Sequence, residues 1–229
     1  STVVTANPFL YKLPFNMEKD LQPLVQLATG QYILVVHPSV AANSVQELVA
    51  LAKQKPRSLN YASGGVGTPL HLAAELFQKR AGIQLVHIPY KGGGGAAAAT
   101  LAGEAQVLFG SFASSLPQAK AGRLKAIATT ASRRSALTPN LPTIAESGFP
   151  GFELVSWFGL LVPAGTPERI VQRIRDAAIK AVNSQDVQQA AGREGLAIET
   201  STPQELAARI HADTRTWAEV IKAAGIRAE

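Results

Sequence analysis

Apolar and polar positions switch repeatedly between two periods along this chain. The β-branched run "QYILVVHP" (31–38) reads as a strand that reaches back to Leu24. Ser44-Val45-Gln46-Glu47 is a capping box opening an amphipathic helix through Lys55. A short strand "SLNYA" (58–62) runs into the loop "SGGVGT", and a helix follows from Pro69 to about Ala81, stopped by Gly82. Next come a strand "IQLVHIPY", a small-residue helix "GGAAAATLAG", a strand "AQVLFG", a short helix "SSLPQAKAG" and a strand "LKAIATT". Strands alternating with helical patterns predict an α/β fold with parallel βαβ units.

After Ser132 the rhythm changes. The stretch "ASRRSALTPNLPTIAESGFPGF" is rich in Pro, Gly and Ser, with one short helix expected over 143–147. A long strand (153–163) precedes a helix with Thr166 as cap and Pro167 at its first position. A helix (184–194), a short strand (196–200) and an amphipathic helix from Pro203 to about Ala224 complete the pattern.

Composition narrows the classes. No apolar run approaches the ~18–20 residues that span a bilayer, and nothing at the start resembles a signal peptide. The chain has no cysteine, which removes disulfides and thiolate metal sites but leaves the compartment open. The net charge of +6 is localised: Lys79, Arg80, Lys91, Lys120, Arg123, Lys125, Arg133 and Arg134 face only Glu104 between Leu76 and Ala145. That segment is either a solvated basic face or a field that gathers an anion. Few aromatics, and no basic stripe at helical spacing, argue against nucleic acid.

The candidate chemistry lies in two glycine loops. In the first, Ser63, Gly64, Gly65, Gly67 and Thr68 stand between a strand and a helix, with His71 one turn further on. The first amides of a helix lack intrahelical partners and carry a partial positive charge, and glycine lets a ligand approach the backbone closely. A plain turn with Thr68 as N-cap would need fewer glycines, so the loop points to anion binding. The second loop, "YKGGGGAAAA", formally matches a dinucleotide fingerprint at Gly92, Gly94 and Ala97, but nothing acidic lies between Glu104 and Glu146 to meet a ribose. Two parallel glycine loops suit a small anion better than a nucleotide. Catalysis finds little support: His37, His71, His87 and His211 are scattered, no nucleophile elbow occurs, and no cofactor or metal is implied. His87, alternating within a strand, reads as a core or cleft-wall residue.

The segments "LNYASGGVGTPLHLAAELF", "VHIPYKGGG", "LPQAKAGRLKAIATT", "LPTIAESGFPGFE", "SWFGLLVPAGTP" and "WAEVIKAAGI" occur in an order that resembles the Bug family, the TctC-like extracytoplasmic solute receptors of tripartite tricarboxylate transporters. The resemblance implies a periplasmic, type II-like binding protein of two α/β lobes with parallel-rich sheets, crossing strands and a ligand enclosed in the cleft. It implies a small carboxylate ligand (a di- or tricarboxylate, an acidic amino acid or an aromatic acid) and membrane transporter subunits as partners. Carried over by position, the ligand site falls on Ser63, Gly64, Gly65, Gly67, Thr68 and His71, with Tyr90, Lys91 and Gly92 in the second loop. Ser111 stands where the family usually has Asp, and Thr2, Ala6 and Asn7 match a segment lining the first lobe.

On that alignment, residues 1–37 are the remainder of the first lobe plus a crossing strand, 38–160 the second lobe, and 161–229 helices returning to the first. The family's N-terminal βαβ unit with its Pro-Gly-Gly-x-x-Asp loop has no counterpart here, so the chain starts partway into the first lobe. Ile170, Ile174, Leu206, Ile210, Trp217 and Ile221 are then expected to be exposed and to favour self-association. Competing readings are an enzyme holding a nucleotide or phosphorylated substrate at the glycine loops, and a ligand-sensing receptor for a signalling partner.

Overall fold

The structure, a computed structural model, describes residues 1–227. Three single-turn helices, α1 (Thr2–Thr5), α2 (Asn7–Leu10) and α3 (Met17–Asp20), lead into the long strand β1 (Leu21–Val36). Then follow α4 (Val45–Gln54), β2 (Asn60–Ser63), α5 (Pro69–Ala81), β3 (Val86–Pro89), α6 (Gly92–Leu101), β4 (Val107–Ser111), α7 (Phe112–Lys120) and β5 (Lys125–Thr129). The chain closes with β6 (Val155–Pro163), α8 (Glu168–Val182), α9 (Gln185–Arg193), β7 (Leu196–Ile198) and α10 (Pro203–Ala224). Among the described residues no helix is long and apolar enough to cross a membrane.

Two compact units divide the chain: Ser1–Gly30 with Ser156 to the C-terminus, and Gln31–Val155. In the second unit the strand order is β3-β2-β4-β1-β5. β2 runs parallel to β3 and β4, whereas β1 is antiparallel to both β4 and β5. Alternation along β1 sends Ile33 and Val35 to one face, where Ala96 and Ala97 of α6 and Phe112 of α7 cover them. The opposite face carries Tyr61, Phe109 and α5, whose Phe77 meets Phe109, Phe149 and Phe152 at ring separations of 5.7, 5.7 and 6.3 Å. Helices therefore bury both faces of a sheet that is mixed rather than parallel-rich, because β1 enters it antiparallel.

In the first unit β7 pairs antiparallel with the early part of β1, Ala28 opposite Ile198, and β6 also pairs with β1. Leu24, Val25, Val162 and Val171 form its small core. α10 is set by a complete capping box between Thr202 and Glu205, and Trp157 donates its indole N–H to Asp213 at 2.8 Å. An apolar groove of about 470 Å³ in this unit is lined by Phe9, Tyr11, Phe15, Met17, Leu161 and Ile210, among others.

Several local expectations change. The stretch 143–147 forms turns rather than a helix: Thr143 and Glu146 exchange the bonds of a capping box, but Gly148 at φ +101° turns the chain away after one turn and Pro150 follows. Thr166 does not cap α8; its hydroxyl bonds Pro163 O, and Pro167 takes the cap position. At α4, Ser44 accepts the Glu47 amide as expected, but Glu47 reaches back to the amide of Asn43 rather than of Ser44. α6 starts at Gly92, so the glycines are its first turn and not a preceding loop. Of the apolar side chains expected in the open, Ile170 and Ile174 are exposed, but Leu206, Trp217 and Ile221 are buried by packing within their own unit.

Candidate functional site

Parallel strands aim their carboxyl ends at one edge. β2, β3 and β4 all finish there, and α5, α6 and α7 all begin there. The chain passes outward from β2 to β3, then crosses back to β4 on the other side of β2, which makes this edge a topological switch point. Ligands in open α/β sheets settle in such crevices because several helix N-termini converge on them.

The two glycine segments are joined at this edge. The amide of Tyr90 donates to Ser63 O at 2.9 Å, and that of Gly92 to Gly64 O at 3.3 Å. A Cβ on Gly64 would stand 3.0 Å from the backbone of Gly92 and Gly93, so the contact needs glycine there. Leu70 in the first turn of α5 lies against Gly93 in the first turn of α6. Neither helix is capped by a side chain: Thr68, at the N-cap of α5, donates its hydroxyl to Gly65 O at 2.7 Å, and Lys91 makes no cap bond to α6. Pro69 has no N–H and the Gly92 amide is spent on Gly64, so the amides left to outside acceptors are those of Leu70 and His71 in α5 and of Gly93 and Gly94 in α6. α7 differs, since Ser111 caps it by accepting the Ser114 amide at 3.2 Å.

Beneath the loop lies a ring stack. His71 and His87 are 4.1 Å apart at 12°, and Tyr61 lies 4.8 Å from His87. Nδ1 of His71 accepts the Gly67 amide at 3.1 Å, and Nε2 of His87 is 2.6 Å from Ser63 Oγ, which also accepts the Gly65 amide. Burial, with His87 close by, pushes the His71 pKa down to about 3, and burial pushes His87 down to about 4. Both rings are neutral at pH 7. The Tyr61 phenol is held protonated by burial first and then by Glu75, whose carboxylate accepts its hydroxyl and also an amide proton of Gln78.

Ser63 and Gly67 are buried and internally bonded; Gly64, Gly65 and Thr68 are half-buried; Lys91 and Gly92 are exposed. Tyr90 lies along α6 with its hydroxyl on Glu104 at 3.1 Å. Thr2, Ala6 and Asn7 belong to the first unit, on α1 and at the start of α2. Most of the basic residues sit elsewhere: Lys79 and Arg80 end α5, Lys120 ends α7, and Arg123 and Lys125 lead into β5, all at the opposite edge of the sheet. There they complement the helix C-termini. Arg134 pairs with Glu146 at 2.9 Å, and Lys91 borders the glycine segments directly as the N-cap residue of α6. The histidine pair was not apparent from spacing along the chain. The signal that finds it is strand register, since Tyr61 pairs with His87 and the helix between the two strands carries His71 over the same face.

A model of the tripartite tricarboxylate transporter family receptors, TctC, matches residues 1–226. The chain is 33% identical over 223 residues to a protein of the tcbD-tcbE intergenic region of Pseudomonas sp. strain P51, covering 96% of this chain and 66% of that protein. It is 30% identical over 215 residues to BugT of Bordetella pertussis, again covering 66% of that protein and 94% of this chain. The chain thus spans about two thirds of the length of these curated relatives. The structure of R. palustris Rpa4515 with adipate is similar at a TM-score of 0.86 and 29% identity, covering 98% of this chain and 75% of that one. With the family model matched along nearly its whole length, the chain belongs to the receptor family of the tripartite tricarboxylate transporters, the Bug family that its glycine loops resemble.

Proposed function

We propose that this protein is a periplasmic receptor that captures a small dicarboxylate for a tripartite membrane transporter, seating one carboxylate on the first turns of α5 and α6. The observation that carries this reading is the pair of uncapped helix N-termini held side by side through Gly64 and Gly92. Backbone amides offer hydrogen bonds and partial positive charge without a side chain to desolvate. Lys91 beside them adds attraction that salt would screen. A similar protein holds adipate, a dicarboxylate, which makes adipate the first ligand to try. The same likeness favours a receptor over an enzyme that binds a nucleotide.

Gly94→Asp tests the site. Open space surrounds a Cβ at Gly94, and an acidic residue in a helix's first turn is favourable, so the fold tolerates it. The new carboxylate would compete for the amides and repel an anion. Adipate titrated calorimetrically should bind the variant at least tenfold more weakly than the natural chain. Equal affinity in the two would refute the placement.

A further inference from the structure

We infer that His71 is a positioning residue: its ring, stacked on His87, holds the 64–68 loop in its binding shape without touching the ligand. This rests on the carboxylate reading above.

Gly65 and Gly67 sit at φ +116° and +75°, the region that favours glycine. Each has its amide fastened inward. Gly67 donates to His71 Nδ1, which must therefore be the unprotonated nitrogen, with the proton on Nε2 facing Glu75 Oε1 at 4.0 Å. Gly65 donates to Ser63 Oγ, and its own carbonyl already receives the Thr68 hydroxyl at 2.7 Å and the Thr68 amide at 3.3 Å. The Ser63 proton is then directed to His87 Nε2, its shorter contact at 2.6 Å against 3.2 Å to Gly65 O. Both histidines thus serve as acceptors toward the loop. A proton on His71 Nδ1 would set donor against donor at Gly67, and a charge on either ring would stand 4.1 Å from the other.

The consequence for the ligand is a division of labour. Gly65 and Gly67 are not donors to the carboxylate, since their amides are committed within the protein. They fix the approach to the first turns of α5 and α6. His71 is 4% exposed and lies under the loop, stacked between helix and sheet, and so gives no face to the ligand. The other polar groups around the pair are the Tyr61 hydroxyl and Gln78, both bound to Glu75.

Comparing His71→Asn with His71→Leu tests the assignment. Asn can place its Oδ1 where Nδ1 stands and keep the acceptor; Leu fills space without one. In the ligand-free protein, exchange of the Gly67 amide, followed by NMR, should quicken about tenfold in His71→Leu and stay slow in His71→Asn, the factor that loss of one hydrogen bond implies. Adipate should bind His71→Asn at least tenfold more tightly than His71→Leu. If His71→Asn keeps the slow Gly67 exchange yet binds adipate as poorly as His71→Leu, the imidazole itself meets the ligand and the inference is overturned. Fast Gly67 exchange in the natural chain would also overturn it. Failure of the natural chain to bind adipate would count against the carboxylate reading, while the exchange comparison would still decide the role of His71.

Discussion

Acidification from pH 7 to pH 5 should loosen the second unit well before its carboxylates titrate. Both His71 and His87 have folded pKa values, about 3 and about 4, below the unfolded value near 6.5. As pH falls through 6.5 the unfolded chain takes up protons that the folded chain refuses. The stability is therefore complete above that value and is lost progressively as pH falls toward 4 and 3. Between pH 7 and pH 5, linkage with an unfolded pKa of 6.5 gives a loss of about 2 kcal/mol for a histidine that stays neutral when folded. His71, at 4% exposure, carries that amount, and the less buried His87 adds in the same direction. Tryptophan fluorescence would miss the effect, because Trp157 and Trp217 both lie in the first unit. Hydrogen exchange by mass spectrometry on peptides from β2, α5 and β3 reads the right region, and it avoids treating two units as one transition. In His71→Asn the acid-induced loss should shrink by about 2 kcal/mol. An opening free energy of those peptides that is equal at pH 7 and pH 5, or an equal loss in the variant, would refute the reasoning.

Two further substitutions probe the packing of the second unit and the capping of the first. A methyl group on Gly110 would overlap the buried Ser115 Oγ and crowd Leu108, so Gly110→Ala should cost about 1–3 kcal/mol in chemical denaturation followed by far-UV circular dichroism. Adding Ser115→Ala should recover part of that loss, and strict additivity of the two changes would show that the clash is not the cause. Thr202→Ala removes the hydroxyl of the α10 capping box and should cost about 1 kcal/mol in the first unit, read by tryptophan fluorescence.

Periodicity carried most of the second unit. The helix from Pro69 to Ala81 and its stop at Gly82 follow from proline at the first position, an apolar stripe and a left-handed glycine. Bonds between side chains and the backbone escape such patterns, which is why Thr166 is diverted from α8 and why Glu47 reaches Asn43 instead of Ser44. At the site, glycine content pointed to the 64–68 loop, but pooled residues with different tasks. Ser63 and Gly67 bond inward, Gly64 permits contact between backbones, and Tyr90 turns to Glu104. Those roles depend on partners distant along the chain, His87 for Ser63 and Gly92 for Gly64. A local motif cannot assign them. The charge segment has the same character: its members are close in sequence but separate onto opposite edges of the sheet, because helices return the chain from one edge to the other.

The four glycines that begin α6 have a thermodynamic consequence for capture itself. Each disfavours helix by about 1 kcal/mol relative to alanine, so this turn holds its shape through packing of Ala96, Ala97, Ala99 and Thr100 further along. Such a turn has little propensity of its own with which to resist local opening. A ligand that accepts its amide protons does two things at once: it fills the site and completes the helix. Some of the intrinsic contact energy then goes into ordering backbone, which moderates affinity and leaves the complex able to come apart. On the proposed receptor reading, in which the ligand is later surrendered, a softened helix start keeps release within reach.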